Sequence, residues 1–229
     1  MTSLSDQIPQ TIVPCPVQVD DDGKAYIPLP GLPDFRLTPW KADDADDILR
    51  LFNYPEIGKW SCRRPYPYAE SDLSFMYAPL ADRDALLNLL VSALPDPLPL
   101  ETFDGTRFFL FGALRQVSTG RVVGDMHVGP SDRTESQSEE GGVQNWEMAY
   151  NVVPDQAGKG LGSTMINVTL DYLRWLGVNK VVAFCETVNL ASGGVLRKTG
   201  FTQVKVVDIA WPEEKGGGTK PCFMYEQVL

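Results

Sequence analysis

The residues best able to do chemistry lie between Trp146 and Thr164. In order they are Trp146-Glu147-Met148-Ala149-Tyr150-Asn151-Val152-Val153-Pro154, then Asp155-Gln156-Ala157-Gly158-Lys159-Gly160-Leu161-Gly162-Ser163-Thr164. The first half has the aromatic and branched residues of a strand. Pro154 and Asp155 stop it, glycines follow at every second position, and an amphipathic helix opens. A strand, a glycine turn and a helix N-terminus in that order make an anion site. The N–H groups of the first helical turn have no partner within the helix, and the macrodipole adds positive potential there. Glycine lets backbone approach a phosphate with no Cβ in the way, and Lys159 adds a cation.

Spacing narrows the choice of anion. A P-loop needs Gly-x4-Gly-Lys-Ser/Thr, and Lys159 lies between glycines, too early for that arrangement. A dinucleotide fingerprint needs Gly-x-Gly-x-x-Gly, and the third position is Ser163. Glu186, at the end of the next strand, keeps a degenerate version of it open. The remaining option is the diphosphate of a coenzyme A thioester. Here Ala157-Gly158-Lys159-Gly160-Leu161-Gly162 resembles the Gln/Arg-x-x-Gly-x-Gly/Ala signature of the GNAT N-acetyltransferase superfamily, with Ala157 in the usual Gln/Arg place. Asn189-Leu190-Ala191-Ser192 followed by Lys198-Thr199-Gly200-Phe201 looks like the family's Asn-x-x-Ser…Lys-x-Gly-Phe segment. Arg64-Pro65-Tyr66-Pro67-Tyr68 is similar to the substrate-side loop of the ribosomal-protein N-terminal acetyltransferase branch. The likeness runs from about Phe35 to the C-terminus, with 130–144 outside it.

The resemblance implies an α/β fold with a central, mostly antiparallel twisted sheet flanked by helices. It implies acetyl transfer from acetyl-CoA to a primary amine by direct attack in a ternary complex. The acceptor would be a small-molecule amine or a peptide N-terminus. Backbone of Asn151, Val152 and Val153 would take the pantetheine arm, Gly158, Lys159, Gly160, Leu161, Gly162 and Ser163 the diphosphate, and Asn189 a pantetheine amide. Glu147 would accept the amine's proton through water, and Ser192 would donate to the leaving sulfur. Leu196 stands where many relatives have a tyrosine. His127, the only histidine, is the rival base. Trp60, Arg63, Arg64, Tyr66, Tyr68 and His127 would line the acceptor pocket, their bland reading being a loop anchored by its aromatics. No metal is expected. Two alternatives stand beside this: a coenzyme A-binding protein without turnover, and a dinucleotide-binding oxidoreductase.

The elements that must hold these residues can be read in outline. With 229 residues and ordinary apolar content, the chain can bury one large core. Its net charge of −10 argues against nucleic acid, and no apolar run is long enough to span a membrane. The N-terminus lacks signal-peptide features, and the four scattered cysteines read as reduced thiols. A cytoplasmic protein is therefore expected, as a monomer or homodimer. Residues 1–34 read as an extension or hairpin turning at Asp20-Asp21-Asp22-Gly23, and 35–229 as the catalytic domain. Strands are expected at 35–39, 107–116, 121–129, 146–153, 180–186, 201–210 and 220–228. Helices are expected at 42–53, 69–93 with a break near Pro79, 158–176 and 189–198, and a polar loop at 130–144. Alternation in the strand before the turn sets Glu147, Ala149 and Asn151 on one face, against Trp146, Met148, Tyr150 and Val152.

Overall fold

The computed structural model describes residues 13–103, 109–131, 133 and 145–229. The start of the N-terminal extension and most of the 130–144 loop lie outside the described residues. Short runs of alternating apolar residues form β1 (Gln18–Val19), β2 (Ala25–Pro28), β3 (Phe35–Thr38), β4 (Ala113–Gln116) and β5 (Val122–Pro130). They continue as β6 (Trp146–Val152), β7 (Lys180–Glu186), β8 (Thr202–Ala210) and β9 (Thr219–Val228). These nine join in one sheet, in the order β1-β2-β3-β4-β5-β6-β7-β9-β8. Every neighbouring pair is antiparallel except β6 and β7. The mixed, mostly antiparallel sheet expected from the resemblance is therefore present. One parallel pair also excludes a doubly wound dinucleotide fold.

The hairpin at the start forms because Asp20 closes its own turn, accepting from Lys24 N–H through Oδ1 at 2.8 Å and from Gly23 N–H through its carbonyl at 2.9 Å. β2 then pairs with β3 and lengthens the sheet. The helices are α1 (Ala45–Phe52), α2 (Pro55–Gly58), α3 (Ser74–Tyr77), α4 (Leu80–Ala93), α5 (Leu161–Trp175) and α6 (Leu190–Lys198). The helix expected over 42–53 opens as a 3-10 turn over Ala42–Asp44 before α1 begins. The run 69–93 breaks at Pro79 as expected, with a 3-10 turn and the single turn α3 ahead of α4.

Two differences follow from backbone geometry. Of the strand expected over 107–116, residues 107 and 108 lie outside the described residues, and the regular strand starts at Ala113. Phe109 and Gly112 still hydrogen-bond to Val128 and Met126, but out of regular ladder. The Nε1 of Trp40 occupies the space that a side chain on Gly112 would need. The helix expected from Gly158 starts at Leu161, because Gly158 and Gly160 have φ of 77° and 82° and cannot be helical.

α5 packs its buried face, including Met165, Ile166, Leu170, Tyr172 and Leu173, on one side of the sheet. There Tyr172 meets Phe109 and Phe111 edge-on, with centroids 5.2 and 5.7 Å away. Gly177 (φ 82°) ends the helix as expected, Val178 N–H bonding back to Leu173 at 2.9 Å. Ile48, Leu51 and Phe52 of α1 join the same continuous core from elsewhere. Asp44 and Arg115, both nearly fully buried, form a two-bonded ion pair at 2.9 and 2.8 Å that ties β4 to the turn before α1.

Candidate active site

β6 carries a complete ladder with β5 from Trp146 to Val152. Its ladder with β7 has only three pairs, Trp146 with Val181, Glu147 with Val182 and Met148 with Ala183. Beyond Ala183, β7 is paired to β9 alone. The two parallel strands therefore part after Met148, leaving the β7 side of Ala149–Val152 without a strand partner among the described residues. Backbone polar groups need partners, so an open edge inside a sheet is suited to an extended ligand with amide groups of its own.

That edge leads to the glycine turn. Pro154–Gln156 make a 3-10 turn, Gly160 is the N-cap of α5, and no side chain caps the helix. A Cβ on Gly158 or Gly160 would meet nothing within 4 Å, so their positive φ alone calls for glycine. Leu161 is buried and anchors the turn, while Gly158, Lys159 and Gly160 are exposed and Gly162 and Ser163 half-buried. Lys159 Nζ donates to Gln156 Oε1 at 2.9 Å, holding the ammonium beside the turn. An uncapped start to a four-turn helix presents its first N–H groups to an anion.

On the α6 side, Asn189 caps its helix as expected, its Oδ1 accepting from Ser192 N–H at 3.2 Å. Ser192 Oγ lies 3.3 Å from the Tyr150 hydroxyl. Leu196, 1% exposed, brings no polar group here.

The opposite face gathers charge. Alternation holds, and Glu147 and Asn151 of β6 share this face with Asp125 and His127 of β5. Glu147 accepts from Ser131 Oγ at 3.0 Å, from Arg133 Nε at 3.1 and 3.2 Å, and from Arg63 Nη2 at 3.3 Å. Asp125 accepts from Asn151 Nδ2 at 2.8 Å and Arg64 Nη2 at 3.2 Å. Its burial pushes the carboxyl up, against the pull of Arg64 and the bond from Asn151. His127 is driven down to about 4 by burial first and then by Arg64, Arg63 and Arg83. Its imidazole is neutral across the physiological range.

The acceptor-side residues divide. Arg63 and Arg64 reach the face just described. Arg64 also stacks on Phe52, 3.5 Å from the ring centroid. Trp60 is half-buried with Lys59 Nζ over its ring at 4.7 Å, and Tyr66 packs on Gly58, where any Cβ would collide with its ring. Tyr68 does not line a cleft. It is buried edge-on to Phe52 at 5.0 Å and donates its hydroxyl to the Asp72 carbonyl at 2.9 Å, so it belongs to the core.

Several contributors escape the sequence. The sequence reading singles out His127 but not Asp125, two residues away on the same strand face. Ser131 and Arg133 lie at the start of the polar loop and give no sign in the sequence of meeting Glu147. Lys215 gave none either. Its Nζ donates to the carbonyls of Gly58 at 3.1 Å, Ser61 at 2.6 Å and Arg64, fastening the acceptor-side loop to the β8–β9 turn. Burial, with Arg64 nearby, holds that ammonium below the usual lysine range.

Comparison with known proteins adds to this geometry. A family model described as an acetyltransferase (GNAT) domain matches residues 34–202. Mycothiol acetyltransferase of Geodermatophilus obscurus is 38% identical over 58 residues, which is 25% of this chain and 18% of that protein. The chain thus spans under a fifth of that curated relative. Among solved structures, the ribosomal-protein-S5-alanine acetyltransferase of Vibrio fischeri superposes with a TM-score of 0.61 at 14% identity, covering 85% of this chain and 93% of that one. The spermidine N-acetyltransferase of Vibrio cholerae, solved with CoA and spermine, gives 0.55 at 16% identity, covering 85% and 95%. At such identities the likeness is one of fold.

Proposed function

Because the chain belongs to the GNAT acetyltransferase family, we propose that it binds acetyl-CoA along the open edge of β6 and passes the acetyl group to a primary amine. The observation that carries this reading is the parting of β6 from β7 after Met148, directly upstream of an uncapped helix. Backbone of Asn151, Val152 and Val153 would meet the pantetheine amides. Gly158 to Ser163 would hold the diphosphate, with Lys159 as counter-ion. The thioester would then lie between the two faces, with Ser192 on one side and Glu147 and His127 on the other.

The chemistry asked of this chain is orientation, removal of one proton and stabilisation of the departing thiolate. Glu147 takes the amine's proton through water in this reading, with Ser131, Arg133 and Arg63 fixing the carboxylate. His127, uncharged and on the same face, is the second candidate. A Glu147→Gln chain that keeps its acetyl-CoA affinity and loses turnover would support the first assignment, and the same result for His127→Gln the second. Ser192 donates a hydrogen bond to the leaving sulfur.

The acceptor class is an amine small molecule or a peptide N-terminus, and the structural relatives are named for spermidine and for an alanine of a ribosomal protein. Residues 35–229 form the catalytic domain in this reading, and the described part of the N-terminal extension joins its sheet through β2. The setting is the cytoplasm, in keeping with four unpaired cysteines. Among the described residues no helix is long and apolar enough to cross a membrane.

The test is calorimetry and thermal shift with acetyl-CoA, CoA and NADH. Donor at a hundred times its Kd stabilises a binding protein by about 2.7 kcal/mol. A rise in Tm with both coenzyme A species and none with NADH is expected, and a response to NADH alone would overturn the reading. Leu196 and Ala157 favour one rival, coenzyme A binding without turnover. Thiol release across a panel of amines separates the two.

A further inference from the structure

One hydroxyl on the α6 side has no task in the scheme above. Tyr150 projects from β6 toward α6, with its Oη 3.3 Å from Ser192 Oγ and 3.4 Å from the Ser192 carbonyl oxygen. Its ring is held by the first turn of α5, where a Cβ on Gly162 would sit in ordinary contact with it at 3.6 Å. The phenol is thus fixed between the proposed diphosphate turn and the proposed sulfur site. Burial pushes it up to about 12, so at neutral pH it keeps its proton. Ser192 also lies near the Cys185 thiol, which burial pushes up against a lowering pull from the serine.

A serine hydroxyl has one hydrogen and two lone pairs, and it rotates to suit its neighbours. Left alone, Ser192 can spend its hydrogen on Tyr150 or on Cys185. A phenol that donates into a Ser192 lone pair removes one of those uses and orients the rest of the group. We propose that Tyr150 is a positioning residue, donating to Ser192 Oγ so that the serine's own hydrogen is presented to the sulfur leaving acetyl-CoA. This rests on the acetyl-transfer reading above. In the step itself the amine nitrogen bonds to the carbonyl carbon and the carbon–sulfur bond breaks. The electron pair stays on sulfur as a thiolate, and the attacking amine sheds its proton to water and the base. Tyr150 and Ser192 lose no proton; they lower the cost of charge on sulfur.

The thiol of bound CoA reports this without any acceptor. In the native chain the bound thiol, followed by the ultraviolet absorbance of its thiolate, is expected to titrate below free CoA. Tyr150→Phe keeps the ring and its packing. It should move that titration back up by roughly one pH unit, the scale of a hydrogen bond to a charged group, with CoA affinity near neutral pH within about twofold. In a Ser192→Ala background the same substitution should move it hardly at all, since the effect passes through the serine. Two results would overturn the proposal: CoA that titrates alike in native and Tyr150→Phe chains, or a shift of equal size with and without Ser192. A native chain that binds no CoA would instead remove the acetyl-transfer reading itself, and this inference with it.

Discussion

His127 offers a pH dependence whose size can be worked out. Its side chain sits on the charged face of β5, and burial together with three arginines lowers it from 6.5 to about 4. The unfolded chain therefore binds a proton at a pH where the folded chain does not. Stability then rises with pH across this window, and is lost as pH falls from about 6.5 toward 4. The gap of roughly 2.5 pH units, at about 1.4 kcal/mol each, amounts to about 3.5 kcal/mol, half of it gone near pH 5.3. Carboxylates titrate in the same range, so the informative quantity is a difference between variants. His127→Gln removes the titration and keeps a polar side chain of similar reach. Urea midpoints of both chains, taken every half unit from pH 7.5 to 4, should converge or cross as the native chain loses its extra increment. Parallel curves would refute the reasoning and place the imidazole in contact with water or with an acid. If His127 is the base that turnover needs, the acid limb of kcat/KM should likewise lie near 4, not near 6.5.

Three further outcomes follow from the geometry. Gly158→Ala and Gly160→Ala should each cost about 1 kcal/mol from positive φ alone, as neither new methyl meets a neighbour. Acetyl-CoA affinity should fall roughly tenfold if the turn holds the diphosphate; calorimetry showing unchanged affinity would detach the turn from the donor. Lys215→Met strands three loop carbonyls, and a loss of about 2 kcal/mol should appear as a 10- to 30-fold fall in kcat/KM for the acceptor. The acetyl-CoA Kd should hold, and equal damage to both would show that the clamp serves the whole fold. Arg115→Met leaves Asp44 buried without its ion-pair partner, a loss of about 3–5 kcal/mol by urea melts. Pairing it with Asp44→Leu should recover much of that loss, and a double variant no better than the single would show that packing, not charge, was removed.

The elements of the proposed donor side were legible in the sequence for a physical reason. Its parts are contiguous: a strand, a turn and a helix N-terminus within one stretch, followed by an Asn cap and its serine three residues apart. Local periodicity and turn chemistry report such things directly. What escaped was the sign of φ at two glycines, which cut the expected start of α5 back to Leu161. The parting of β6 and β7 could be expected from the resemblance alone, because strand pairing is not a property of either strand's own pattern.

The proposed acceptor side was legible only in part, because its bonds are long-range. Arg64 reaches Asp125 across 61 residues, Arg63 reaches Glu147 across 84, and Lys215 reaches the carbonyl of Gly58 across 157. Composition misleads here as well. A net charge of −10 suggests a surface that draws cations. Yet the face carrying Glu147 and Asp125 meets each acid with a guanidinium, and places three arginines near enough to His127 to lower it. Whole-chain charge acts over distances longer than the screening length only weakly, so a ligand at this face would respond to this local pairing more than to the total. Tyr68 makes the same point from the other direction. Its place in an aromatic, proline-rich loop suggested a pocket wall, but the Asp72 carbonyl and the face of Phe52 satisfy both its polar and its apolar ends. A tyrosine so buried, with its hydrogen committed to Asp72, should have its substitution read in stability before it is read in acceptor choice.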